Sequence, residues 1–139
     1  MGALLDYLRA ELRQARNNLN NAIEERRGYR EKAQQIRALA REMQGAKNEI
    51  RSLKSEVKDF GDQSFDRFKG NLYDSEYKPL IDDIVAQYDT VISDIDTNVD
   101  ELNRKASEYD DKAFNLGGLI GGLQSSISWL TTEIQNALN

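Results

Sequence analysis

The side chains that could do chemistry in this chain are its 24 Asp and Glu and its 19 Lys and Arg, because it contains no cysteine and no histidine. That excludes a thiolate nucleophile, a disulfide, an imidazole base and the usual zinc site. The remaining candidates for acid–base work are carboxylate pairs. They recur at the spacing of a helix surface, so we read them as a solvated face and expect neither catalysis nor a cofactor or metal. The uncharged side chains offer something different. From Ala113 to Thr132 the chain reads AFNLGGLIGGLQSSISWLTT, with no charged residue, four glycines and the single tryptophan, Trp129. Such a segment is suited to contact rather than reaction.

The elements that must position these residues are long helices. A chain of 139 residues fits one modest domain, and 31% charged against 39% hydrophobic residues suits amphipathic helices over a thin core. In the first half Leu8, Ala15, Ala22, Tyr29, Ile36, Met43, Ile50 and Val57 recur every seven residues, the spine of a coiled-coil seam. Leu5, Leu12, Leu19 and Ala33 accompany them, interrupted by Arg26; beyond Ile36 the companions become Leu39, Ala46, Leu53 and Phe60, a shift of one residue. The second half repeats the design with Ile81, Tyr88, Ile95, Leu102, Tyr109, Leu116, Leu123, Leu130 and Ala137. Its companions are Ile84 and Val91, then Val99, Ala106, Ala113, Ile120, Ile127 and Ile134, which places a second shift between Val91 and Val99.

If the chain reverses at about 60–72, the two shifts fall at similar heights, as paired helices require. The expected fold is therefore all-α: an elongated antiparallel helical hairpin in a single domain, with helix 1 over about 3–59 and helix 2 over about 73–138. At a rise of 1.5 Å per residue the arms would reach roughly 80–100 Å. Asn71 with Asp74 could cap the second helix. Alternatively Pro79 lies in its first turn and the helix starts near Lys78. Heptads leave the register open.

Charge supports the pairing. Residues 1–58 hold 13 Lys/Arg against 8 Asp/Glu, a net of +5, while residues 59–139 hold 6 against 16, a net of −10. Opposite halves attract, so the basic half faces its own acidic partner, and we expect no nucleic-acid partner. The N-terminus lacks the basic stretch and apolar core of a classical signal peptide.

Phe68-Lys69-Gly70, in the expected reversal, resembles the Trp-x-Gly signature of the WxG superfamily of small helical-hairpin proteins exported by type VII secretion, with Phe in place of Trp. The wider stretch FKGNLYDSEY from Phe68 to Tyr77, with the helix from Ile81 to Leu102, resembles the YwqH-like branch, small α-helical proteins encoded beside LXG polymorphic toxins in Gram-positive bacteria. The likeness covers nearly the whole chain in architecture and rests on residues 68–102 in sequence. It implies a non-enzymatic adaptor or targeting chaperone that binds the helical N-terminal domain of an LXG toxin, in the bacterial cytoplasm or co-exported with it. The superfamily's Tyr-x-x-x-Asp/Glu export signal follows the second helix; the match here, Tyr7 to Glu11, lies at the other end, where Tyr7 reads as a helix-flank residue.

Two regions are candidates for partner contact. Phe68 and Gly70 would either only shape the turn or also touch a partner there. Along helix 2, with Leu116, Ile120, Leu123, Ile127 and Leu130 on the seam, Gly118, Gly121, Gly122, Ser125 and Trp129 fall on the other side. Four helical glycines cost roughly 3–4 kcal/mol relative to alanine. Close approach of a second helix compensates for that and Trp129 anchors it. The alternatives are a kinked or frayed C-terminal segment, self-association as a structural coiled coil, pairing with a second small helical protein, or a membrane-active helix, which the Gln, Asn and Ser/Thr content disfavours.

Overall fold

The computed structural model describes the backbone of residues 2–67 and 76–139, and the side chains of 2–62 and 76–139. These residues form an all-α helical hairpin of two helices packed against each other, α1 (Gly2–Arg67) and α2 (Lys78–Leu138). α1 does not stop near 59: it passes through Gly61 and continues to Arg67. Glu76 and Tyr77 lead as a helical turn into α2, whose first turn holds Pro79, and the alternative cap at Asn71 and Asp74 lies outside the described residues. Proline is tolerated there because an N–H in the first turn has no partner within the helix.

Contacts divide the hairpin into two compact units, Met1–Gln35 with Lys105–Asn139 (unit 1) and Ile36–Arg104 (unit 2). In unit 1, Leu8, Ala15 and Leu130 form a buried cluster, flanked by Leu12, Ile127, Ile134 and Ala137. Ala22, Ala33, Ala106, Ala113 and Ile120 continue the buried seam, Ala106 being wholly inaccessible. Alanine at so many seam positions lets two helix axes approach closely, and it also keeps the core thin. Among the described residues no large side chain is fully buried.

The expected one-residue shifts do not occur. In α1 the companions of the spine keep a strict period of seven: Leu5, Leu12, Leu19, Arg26, Ala33, Ala40, Lys47, Lys54 and Gly61 are all buried or half-buried. Leu39, Leu53 and Phe60, read as seam residues from their apolarity, are exposed, and so is Ala46. The reason is charge. In unit 2 Lys47 pairs with Asp96 and Lys54 with Asp89 across the two helices. Each lysine lays its aliphatic stem in the seam and delivers its ammonium to a carboxylate at the edge. In α2 the seam likewise runs through Val85 and Ile92 rather than through Val91, which is exposed; Ile84 is half-buried beside Val85. Both helices thus keep an unbroken seven-residue pattern, and it is this, not a pair of matched shifts, that they share.

These contacts fix the register that heptads leave open. Moving seven residues along α1, from Lys47 to Lys54, moves seven residues back along α2, from Asp96 to Asp89. At the far end of unit 2 the buried Gly61 meets Ile81: a Cβ added there would stand 3.0 Å from Ile81 Cδ1, so the absence of a side chain makes room for this contact.

Candidate partner-binding site

Unit 1 carries the features that point outward. Two seam tyrosines, Tyr29 and Tyr109, stack with centroids 5.9 Å apart and planes inclined by 28°. The ammonium groups of Lys32, Lys105 and Lys112 lie 5.4, 5.5 and 5.3 Å from the Tyr109 centroid, within the range of cation–π attraction. Tyr29 donates a hydrogen bond of 3.1 Å to Glu25 Oε1. That bond, with the charge of Glu25, raises the Tyr29 hydroxyl above its ordinary value, because losing the proton would set two negative oxygens side by side.

Lys112 is the last charged residue before the uncharged stretch. α2 runs through that stretch as continuous helix, neither frayed nor interrupted at Gly117, Gly118, Gly121 or Gly122. Within unit 1 the seam takes Ile120 and Leu130 as buried residues and Leu116, Leu123 and Ile127 as half-buried ones. Opposite them Phe114, Gly118, Gly121, Ser125 and Trp129 follow one another at spacings of three and four, one face of a helix. All five are exposed, Phe114 to 83% and Trp129 to 60%. Apart from the local backbone of α2 and the adjoining residues, nothing lies within 4 Å of the place where a Cβ would stand on any of the four glycines. The hairpin therefore makes no use of their smallness: the close approach they permit is toward the outside. Past Trp129 the hydroxyls of Thr131 and Thr132 donate to the Ile127 and Ser128 carbonyls, at 2.7 and 3.1 Å, which turns their polar atoms back onto the helix.

A groove of about 620 Å³ lies beside this face, still within unit 1, lined by Tyr7, Glu11, Gln14, Ala15, Asn18, Leu123, Ser126, Trp129 and Leu130. Trp129 is thus shared: it ends the glycine face and forms part of the groove wall. Gly118, Gly121, Gly122 and Trp129, the α2 residues singled out from sequence, belong to one surface. Phe68 and Gly70 lie outside the described residues. Sequence reading passed over Phe114, although its position four residues before Gly118 places it on the same face. It also passed over the groove residues Gln14, Asn18 and Ser126, and read Tyr7 and Glu11 only against the export signal, without Trp129, which lines the same groove. Only the register of the two helices brings α1 and α2 together at this point.

Among the described residues no three side chains of the metal-ligating types converge, and no helix is long and apolar enough to cross a membrane. Comparison with protein-family models, with curated proteins and with solved structures finds no match to the chain.

Proposed function

We propose that the chain is a non-enzymatic adaptor or targeting chaperone that binds the helical N-terminal domain of an LXG-type toxin and promotes its export by type VII secretion. The observation that carries the binding role is the uncharged face of Phe114, Gly118, Gly121, Gly122 and Trp129, which the chain's own packing leaves uncovered. Two aromatic side chains bracket a run of glycine and serine on which a second helix can lie closely, and tryptophan is among the residue types most enriched at binding hot spots. The choice of partner rests on the likeness of residues 68–102 to the YwqH-like proteins. On this reading the adaptor stays in the bacterial cytoplasm or leaves with its toxin, and Phe68 and Gly70 add a contact at the reversal.

The test is binding of the toxin domain encoded beside this chain. Trp129→Ala should weaken it by about thirtyfold, the loss expected for a hot spot of about 2 kcal/mol. Gly121→Leu, which fills the glycine face, should weaken it at least as much. Full binding by both variants would sink the proposed face. The same uncharged surface also suits a second copy of this chain, as in a self-associating coiled-coil protein. Sedimentation velocity separates the two: a monomer that becomes a 1:1 complex favours the adaptor, whereas a dimer that resists the toxin domain favours self-association.

A further inference from the structure

The groove beside the glycine face differs chemically from that face. Its α1 wall consists of Tyr7, Glu11, Gln14, Ala15 and Asn18. At about 100° per residue, Tyr7, Glu11, Gln14 and Asn18 fall on one flank of the seam, and the cations of the same stretch, Arg9, Arg13 and Arg16, fall on the other. The α2 wall comes from a segment without any charge. The next charged residue along α2 is Glu133, one turn past Trp129 on the groove side, and it too is acidic. The chain therefore brings a carboxylate into a recess with aromatic walls, and none of the residues lining it is a cation. Glu11 makes no ion pair among the described residues.

We propose that this groove receives the guanidinium of an arginine carried by the protein partner. An anion would face Glu11 and Glu133 with nothing to offset their charge. A purely apolar side chain would strip water from a carboxylate and two amides without replacing its hydrogen bonds. A cation satisfies Glu11 and gains from the aromatic rings of Tyr7 and Trp129. Arginine fits better than lysine because its guanidinium is planar and weakly hydrated: it stacks on an aromatic ring while its forked N–H groups reach a carboxylate in pairs. The side-chain oxygens of Gln14, Asn18 and Ser126 can accept the N–H groups left over. A volume of about 620 Å³ accommodates that side chain and the backbone presenting it.

This inference rests on Trp129 being a partner contact, and it adds the charge of the group that meets it. The two ideas fail separately, because Gly121→Leu alters the glycine face and Glu11→Gln alters only the groove.

Trp129 is the single tryptophan, so its indole N–H resonance and its fluorescence report on the groove wall and on the end of the glycine face it shares, and the comparison with Glu11→Gln isolates the groove. The probe is an alanine-based helical peptide with one central arginine. Its control is the same peptide with citrulline, which keeps the shape and loses the charge. The arginine peptide should shift the Trp129 signals saturably, and the citrulline peptide should bind about tenfold more weakly. Glu11→Gln, at an exposed position where circular dichroism should show the helices intact, should erase the difference between the two peptides. Gly121→Leu should leave both peptide affinities unchanged even where it abolishes binding of the toxin domain. Equal affinity for the two peptides, no saturable shift at Trp129, or discrimination that survives Glu11→Gln would each overturn the proposal. Toxin-domain binding that survives Gly121→Leu would remove the glycine face while leaving the arginine result standing.

Discussion

Unit 2 and unit 1 are built on the same seven-residue pattern and use it in opposite ways. In unit 2 the seam admits charge: Lys47 and Lys54 occupy core positions and meet Asp96 and Asp89 on the other helix. In unit 1 the seam, apart from Arg26, is alanine, leucine, isoleucine and a pair of stacked tyrosines, while α2 carries no charge from Ala113 to Thr132. Unit 2 does expose apolar residues, among them Leu53, Phe60 and Val91, but each stands in a stretch dense with lysine or acid, as isolated surface residues commonly do. The difference separates two tasks. Cross-helix ion pairs penalise a slip in one direction, because a shift of seven residues that sets Lys47 against Asn103 leaves that lysine without a carboxylate, so unit 2 helps to specify how the helices meet. Unit 1 joins its helices through a mainly apolar seam and leaves an uncharged face bare, the arrangement expected where a partner is to be accommodated.

The strongest way to break this comparison is to empty the unit 1 seam. Leu130 is buried against Leu8 and Ala15, so Leu130→Ala removes packing with few neighbours able to fill the gap. It should cost about 3 kcal/mol in a urea melt. The loss should fall in the half of the chain formed by residues 1–35 and 105–139, read by amide hydrogen exchange. Equal loss of protection in both halves would mean that the two units do not differ in the way their seams suggest.

Glycines sharpen the contrast next. Gly118 and Gly121 have open space where a Cβ would go, so the double change Gly118→Ala and Gly121→Ala should stabilise the isolated chain by about 2 kcal/mol through helix propensity alone. Gly61→Ala in unit 2 gains the same propensity but presses its Cβ onto Ile81, and should give little or no net stabilisation. Thermal melts of the two variants check this. If both stabilise alike, Gly61 has no packing role; if neither does, the outer glycines of α2 are not merely surplus to the hairpin.

What could be read from residues alone follows the same division. The all-α hairpin, both spines and the outward placement of Gly118, Gly121, Gly122 and Trp129 were legible, because a long heptad row and an uncharged gap survive any uncertainty of register. The companion rows were not. Leu39, Leu53 and Phe60 drew the seam toward themselves by their apolarity, whereas the structure gives their place to Ala40, Lys47, Lys54 and Gly61. A lysine looks like a surface residue until its carboxylate is found on the other helix, and that carboxylate is known only once the register is. Val85 and Ile92 were masked differently, since each follows another β-branched apolar residue, Ile84 and Val91, and both neighbours fit a seam equally well. The groove was hidden for the same reason as the ion pairs: Tyr7 and Glu11 are far in sequence from Ser126 and Trp129, and neither half suggests a concavity by itself.

The smallest expected effect probes the charged seam directly. Lys47 keeps 12% of its side chain accessible and Asp96 keeps 46%, so their attraction is partly screened by water and salt. A double-mutant cycle through Lys47→Ala, Asp96→Ala and the double variant should therefore give a coupling of only about 0.5–1 kcal/mol. Raising the salt concentration should shrink it further. The stability term is modest, but the exchanged pair, Lys47→Asp with Asp96→Lys, should recover most of what either reversal loses, because it restores opposite charge in the same register. Recovery would show that these charges select one alignment of the two helices. If the exchanged pair were no more stable than either reversal, the seam of unit 2 would be held by its apolar rows alone, and the contrast with unit 1 would reduce to the bare face of α2.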